Sequence, residues 1–160
     1  MATKKEQETA EQTNWNKTLK QYHIYLDKFN HDPRISDLFT SDGTFILKGA
    51  NFGTIISKGP EEISKAFKNS QDTTKQCTHL FGPKIWKNNK EYHTVMSIEE
   101  SNDGHIMQYT GEYVVEFDKD SDKLKSVEIN VKVANDITQN KKGAEEWLSD
   151  THTGDYAWFN

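Results

Sequence analysis

From about residue 76 onward the chain is a nearly unbroken series of β-type segments, at about 76–87, 90–100, 105–117 and 124–134. The last is the cleanest. Val127, Ile129, Val131 and Val133 alternate with Glu128, Asn130 and Lys132, the period of two expected of a strand with one buried face. Asn102-Asp103-Gly104 separates the second and third segments and is a hairpin signal, because these residues tolerate the positive φ of a tight turn. A charged loop, Asp118–Lys123, separates the third and fourth. What precedes the strands is mainly helical. Trp15, Leu19, Tyr22, Leu26 and Phe29 recur at the spacing of one helical stripe, and that helix is expected to end near Asn30. Asp32-Pro33 has the form of an N-cap followed by Pro at the first helical position, opening a short helix with Ile35, Leu38 and Phe39. Ser41-Asp42-Gly43 is expected as a turn, Thr44–Leu47 as a short strand, and Gly53–Ser57 as its partner. Gly59-Pro60-Glu61-Glu62 opens a third helix with Ile63, Ala66 and Phe67 on one face. A last helix is expected over about 140–148. Helices followed by antiparallel strands make an α+β pattern. A cone-shaped, curved antiparallel sheet wrapped around the N-terminal helices would enclose a pocket lined by both.

The chain has 160 residues, enough for one domain with a core. Mean hydropathy is low at −0.91, partly because residues 1–13 are almost wholly polar. They are expected to form a disordered tail, with 14–160 as a single folded domain. A net charge of −5, with lysines scattered among acids, argues against nucleic-acid binding and against anionic membranes. No apolar run reaches membrane-spanning length and no export signal is apparent, so the cytoplasm is expected. The single cysteine excludes an intramolecular disulfide and suits a reducing compartment. The six histidines fall at neither HxH nor HExxH spacing, no CxxC occurs, and neither glycine-rich nucleotide motif is present. No metal and no cofactor are therefore expected.

The stretch Cys77-Thr78-His79-Leu80-Phe81-Gly82-Pro83 carries the most chemistry. Alternation puts Cys77, His79 and Phe81 on one face, so the imidazole looks inward. Tyr22 and Asp27 lie on the first helix, and a tyrosine, a carboxylate and an imidazole converging in one pocket would suit proton transfer on a small hydrophobic molecule. Imidazole titrates near neutrality, a buried hydroxyl stabilises a developing enolate, and a carboxylate holds the imidazole in its charged form. Two bland readings stand beside this. His79 can be an ordinary core histidine and Tyr22 ordinary packing. Asp27 lies five residues from Tyr22, about 140° around an ideal helix, so it can equally be a solvated helix residue. Tyr25, Phe81, Trp86, Tyr109 and Trp158 are candidate pocket-lining residues. His93 and His105, on or beside the hairpin, are expected to be exposed, and Asp42 to be structural. The closing aromatics Tyr156, Trp158 and Phe159 either cover the pocket mouth or pack on a neighbouring subunit.

In order and spacing, Asp37-Leu38-Phe39-Thr40-Ser41-Asp42-Gly43-Thr44-Phe45, Gly59-Pro60-Glu61-Glu62-Ile63, Thr78–Pro83 and Gly111-Glu112-Tyr113 resemble the SnoaL-like group of the nuclear transport factor 2-like superfamily over residues 15–134. That superfamily includes scytalone dehydratase, bile-acid dehydratase, ketosteroid isomerase and polyketide cyclases, as well as non-catalytic domains. Tyr22-His23-Ile24-Tyr25-Leu26-Asp27 is similar to the Tyr-x-x-x-Leu-Asp segment of the dehydratase branch, and His79 falls at its pocket histidine. The resemblance implies His79 as base, Tyr22 as donor to a carbonyl and Asp27 as the group orienting the imidazole. The chain departs from the pattern at Tyr109, Thr110 and Gly111, where scytalone dehydratase has a second pocket histidine. It departs again at Lys132, the one match for the bile-acid enzyme's basic residue, which alternation points away from the valine face. Two functions follow as expectations. One is a cofactor-independent lyase or isomerase acting on a polyketide-, steroid- or bile-acid-like compound. The other is a non-catalytic ligand-binding or dimerisation module of the same fold. A homodimer is expected through the outer sheet face around Ile106 and Val114.

Overall fold

The structure, a computed structural model, describes residues 9–50 and 53–151. Tyr156, Trp158 and Phe159, with the pocket role expected of Trp158, lie outside the described residues. Helix α1 spans Ala10–His23, beginning four residues before the boundary expected at residue 14. Thr9 and Gln12 close a capping box, with the Thr9 hydroxyl accepting from the Gln12 amide at 3.0 Å and Gln12 Oε1 accepting from the Thr9 amide at 3.2 Å. This satisfies two of the orphan donors at the helix start. Four of the five stripe residues, Trp15, Leu19, Tyr22 and Leu26, are buried, while Phe29, beyond the regular winding, is 45% exposed. Trp15 Nε1 and Thr18 Oγ1 donate to the carbonyls of Ser121 and Asp122 at 3.1 and 2.7 Å, tying the helix to the loop before the last strand.

The helix does not end as an α-helix. Over Ile24–Lys28 it widens into a π-turn, with the amides of Phe29 and His31 reaching back five residues to Ile24 and Leu26. Asn30 and His31 then take positive φ of 52° and 57°, a left-handed pair that turns the chain into a 3-10 helix over Pro33–Leu38. Strand β1 follows at Phe39–Gly49 and β2 at Thr54–Lys58, then α2 at Gly59–Thr73, β3 at Thr74–Phe81 and β4 at Ile85–Lys87. β5 spans Lys90–Ser101, β6 Ile106–Phe117 and β7 Leu124–Asp136, and α3 closes the described chain at Lys141–Thr151.

Three boundaries differ from expectation. Ser41-Asp42-Gly43 lies inside β1, where the register with β7 jumps between Phe39 and Thr44, so the turn signal marks an irregularity within a strand. The expected strand 76–87 is interrupted at Gly82-Pro83-Lys84, since proline has no amide for the ladder. The clean alternation of β7 breaks near its end. Thr110 pairs Val133 while Gly111 pairs Val131, so one extra residue bulges out and Val133 turns to the outer face, 45% exposed.

The seven strands form one curved sheet in the order β2-β1-β7-β6-β5-β3, with β4 on β5. Neighbours run antiparallel except β1 and β7, which are parallel. Its concave face holds α1, the π-turn and α2 over the main core, including Leu19, Tyr22, Ile35, Phe67, Val115 and Val127. Burying each such side chain contributes roughly 1.5–3 kcal/mol. The convex face is covered at one end by α3, whose Ala144 and Leu148 pack on Ile98 and Ile106. Ile106 is therefore fully buried under the chain's own helix, and does not belong to an outer apolar surface as expected.

Candidate functional site

Register along the sheet builds the site row by row. β3 and β5 pair Cys77 with Glu99, His79 with Ser97 and Phe81 with Val95. β6 continues the rows, setting Met107 beside Glu99, Tyr109 beside Ser97 and Gly111 beside Val95. Of these, His79, Val95, Ser97, Glu99, Met107, Tyr109 and Gly111 border, with residues of α2 and the π-turn, a cavity of about 380 Å³. Gly111 is required there. A Cβ on it would stand 2.5 Å from the Asn130 carbonyl oxygen, so only glycine lets β7 approach this closely beside the register shift.

The cavity has two kinds of wall. Phe45, Leu47, Val95, Ile129 and Val131 make one side apolar, while Ser70, Thr73, Ser97, Glu99 and Ser101 make the other polar. His79 stands in the wall with its side chain only 7% exposed, and Nδ1 is hydrogen-bonded to Asp27 Oδ1. The π-turn brings this about. An i→i+5 turn has more residues per revolution than an α-helix, so Tyr22 and Asp27 come to one side. Asp27 is 2% exposed, which overturns the solvated reading of this residue. The Cys77 thiol packs behind the pair, donating to the Leu26 carbonyl at 3.3 Å and lying 3.7 Å from Asp27 Oδ1. Burial pushes that thiol well up and keeps it a neutral donor. Burial also pushes the His79 imidazole down, but the Asp27 carboxylate, by charge and by hydrogen bond, outweighs it and leaves His79 above its usual range.

Tyr22 is fully buried and borders the cavity, its hydroxyl 3.4 Å from that of Tyr113. Burial raises both phenols, so both remain protonated donors. Tyr109 lines the cavity as well. The other described aromatics expected there do not. Tyr25 lies under the Arg34 guanidinium at 4.8 Å and beside Phe29. Trp86 packs with Trp15 and Phe117 at 6.2 and 5.6 Å between centroids, because β4 hangs over the far end of the cone. Phe81 has turned from the cavity to pack against His23 at 4.3 Å.

Sequence reasoning missed four polar residues. Glu99 faces the cavity with its side chain 26% exposed, and burial raises its carboxyl, with His79 opposing and Asp27 adding to the rise. His31 borders the same wall. Its Nδ1 is 2.6 Å from Ser70 Oγ and its Nε2 is 3.5 Å from Glu99 Oε1. Burial drops His31 to about 3, so it is neutral. The other two form a second carboxylate–imidazole pair further down the cone. His93 Nδ1 lies 2.7 and 2.9 Å from the two oxygens of Glu91, both side chains being wholly buried. The expectation that His93 is exposed is thus wrong. It shares the parity of Val95, Ser97 and Glu99 along β5, a signal legible once the inward face is known. His105 is exposed as expected, with 61% of its side chain open. His23, between the two pairs at 6.2 Å from His79 and 5.9 Å from His93, is held well below its usual range, first by burial and then by its two histidine neighbours.

No protein-family model and no curated protein matches this chain. Solved structures do match. A nuclear transport factor 2-like protein of unknown function from Exiguobacterium is 16% identical with a TM-score of 0.60, covering 71% of this chain and 97% of its own. A Novosphingobium aromaticivorans protein provisionally assigned as a scytalone dehydratase is 16% identical at TM-score 0.58, covering 75% and 83%. A ketosteroid isomerase-like protein from Catenulispora acidiphila, in complex with trimethylamine, is 10% identical at TM-score 0.58, covering 68% and 81%. The chain has the nuclear transport factor 2-like fold: a curved, unclosed sheet around N-terminal helices. No helix of the described residues is long and apolar enough to cross a membrane.

Proposed function

We propose that the protein is a cofactor-independent lyase or isomerase that moves a proton on a small hydrophobic carbonyl compound. The observation that carries this reading is the Asp27–His79 pair set into the wall of a largely apolar cavity that Tyr22 also borders. With Nδ1–H donated to Asp27, His79 Nε2 is the acceptor that can take a proton from the carbon next to a carbonyl. The Tyr22 hydroxyl donates to the oxygen as the enolate forms. The electron pair then either expels a β-hydroxyl, which leaves as water on taking the proton, or is reprotonated elsewhere to give the isomer. The dehydratase- and isomerase-like names among proteins of the same fold are in keeping with this chemistry. The alternative is a ligand-binding module without turnover, and one observation favours it: the Tyr22 hydroxyl already has a neighbour in Tyr113.

The same reading takes the protein as cytoplasmic and homodimeric. With Ile106 covered by α3, the half-buried Val114 is what remains of the expected dimer face, and Leu80 and Val133, 55% and 45% exposed, are further apolar groups open to a partner.

Deuterium incorporation next to the carbonyl of a steroid enone and of a fused-ring β-hydroxy ketone, followed by NMR in heavy water, tests the chemistry. The parent protein is expected to exchange those protons and Asp27→Asn to do so far more slowly. Binding of the ketones without exchange would establish the alternative.

A further inference from the structure

The distribution of charge around the cavity says what kind of head group it accepts. Among the described residues, no lysine or arginine lines it; Glu99 is the one carboxyl in the wall, and Asp27 stands directly behind His79. The wall and the layer behind it therefore hold two carboxyls, Glu99 and Asp27, against one imidazole that can be charged, since His31 is neutral. Their formal charge turns positive only if both carboxyls are protonated while His79 is too. An anion placed here would lose its water and meet no cation but His79, which Asp27 already neutralises, and an uncompensated buried charge is costly.

Glu99 is also held in place. It stands opposite Cys77 in the β3–β5 register and is hydrogen-bonded by the Ser97 side chain; His31, fixed by Ser70 at 2.6 Å, lies beside it with Nε2 3.5 Å from Oε1, close but not hydrogen-bonded. Donation from the Ser70 hydroxyl to Nδ1 puts the imidazole proton on Nε2, toward the carboxyl. The left-handed backbone at Asn30 and His31 is what brings the ring there, and two successive non-glycine residues in that region are uncommon. Ser97 and Ser101 alternate with Glu99 along β5 and add neutral hydroxyls to the same wall. The opposite wall is aliphatic and aromatic. The site thus has a hydrophobic body and one acidic, hydroxyl-rich end.

We propose that this cavity selects its ligand by charge: it takes an apolar body bearing a protonated amine, seated on Glu99, and rejects a carboxylate of the same shape. Glu99 is the specificity-determining residue, with Ser97 as its hydrogen-bond partner and the Ser70–His31 pair beside it. An ammonium gains a charge-assisted hydrogen bond from Glu99, with the Tyr109 ring in the neighbouring row as a further surface for the cation. A neutral alcohol makes ordinary hydrogen bonds to the same end. Only the acid meets a like charge. This inference rests on the reading that the cavity is the ligand site, but not on turnover.

Titration calorimetry at neutral pH with naphthylmethylamine, naphthylmethanol and naphthoate separates the three cases. The amine is expected to bind about tenfold tighter than the alcohol, and the acid about tenfold weaker than the alcohol or not at all. Glu99→Gln is expected to bring the amine close to the alcohol while leaving the alcohol unchanged. Acid binding as tight as the amine, an amine preference that survives Glu99→Gln, or no binding of any of the three at millimolar concentration would overturn the proposal. If Glu99→Gln does not fold, the order found with the parent decides. A catalyst that prefers acids fails this test while keeping its proton chemistry, and a protein with no chemistry can still pass it.

Discussion

Two carboxylate–imidazole pairs sit about one histidine apart in this molecule, and only one of them borders a space a ligand can occupy. Asp27–His79 stands in the cavity wall, whereas Glu91–His93 is sealed, stacked on Tyr113 at 4.7 Å with both side chains wholly inaccessible. The residue types are nearly the same and the hydrogen bonds are of one kind. Position along the cone separates them: His79 belongs to the row that also holds Ser97 and Tyr109, and Glu91 to the row of Val115 and Val127. The comparison teaches that an acid–imidazole pair is a candidate for chemistry only where the packing leaves room beside it. Elsewhere the same pair is a buried strut, costly to break because neither partner can be left alone.

Removing one member of each pair should give opposite phenotypes. His79→Ala is expected to lower turnover by about 10²–10⁴-fold and to cost less stability than a break in the sealed pair, because the new space opens into an existing cavity beside Asp27. Glu91→Ala is expected to destabilise the fold by about 3–5 kcal/mol, leaving His93 buried without its acceptor. Chemical denaturation and deuterium exchange measured on the same two variants check both arms. A stable Glu91→Ala protein would erase the distinction drawn here.

Tyr22→Phe sharpens it further, since Tyr22 borders the cavity with one edge and the sealed end with the other. Loss of the hydroxyl is expected to cost within about 1 kcal/mol of stability and about 10²-fold in rate. A rate unchanged with ketone substrates would make Tyr22 a packing residue, and would leave the cavity pair without its oxyanion donor.

The pH dependence of stability tests the same groups without mutation, and its sign differs between them. His79 is raised, so its pair with Asp27 contributes fully below the unfolded value of about 6.5 and is lost as pH climbs through the raised folded value. His23 and His31 are depressed, so the unfolded chain takes up protons that the native one refuses, and stability falls as pH drops below about 6.5. The acid-side slope is expected to approach about 1.4 kcal/mol per pH unit for each such histidine. Thermal melts across the range should fall away on both sides, and Asp27→Asn should flatten the alkaline side alone. A flat acid side would show that His23 and His31 meet water.

Much of this architecture was legible in the residues. The stripe from Trp15 to Leu26, the Asn102-Asp103-Gly104 hairpin and the valines of β7 each specify an element through a local pattern, and together they define a sheet curved over helices. What resisted reading depended on a departure from ideal geometry or on what covers a surface. Asp27 faces inward only because the helix widens beneath it. Val133 faces outward only because of a bulge opposite Gly111. Ile106 has the appearance of an interface residue until α3 folds over it. Phe81 and Trp86 were misplaced because an aromatic ring says that a position is buried, not which of two compartments it fills. Glu99 needed the β3–β5 register, which links strands that do not form a simple hairpin.

The widened turn at Ile24–Lys28 has a consequence for how such a site can arise or disappear. Wound as an ordinary helix, the same residues would put Asp27 about 140° around the axis from Tyr22, whereas a segment one residue shorter ahead of Asp27 would bring it back to about 40° with no widening. The widening thus offsets one extra residue, and a chain one codon shorter, wound as an ordinary helix, can present the same acid to the same histidine.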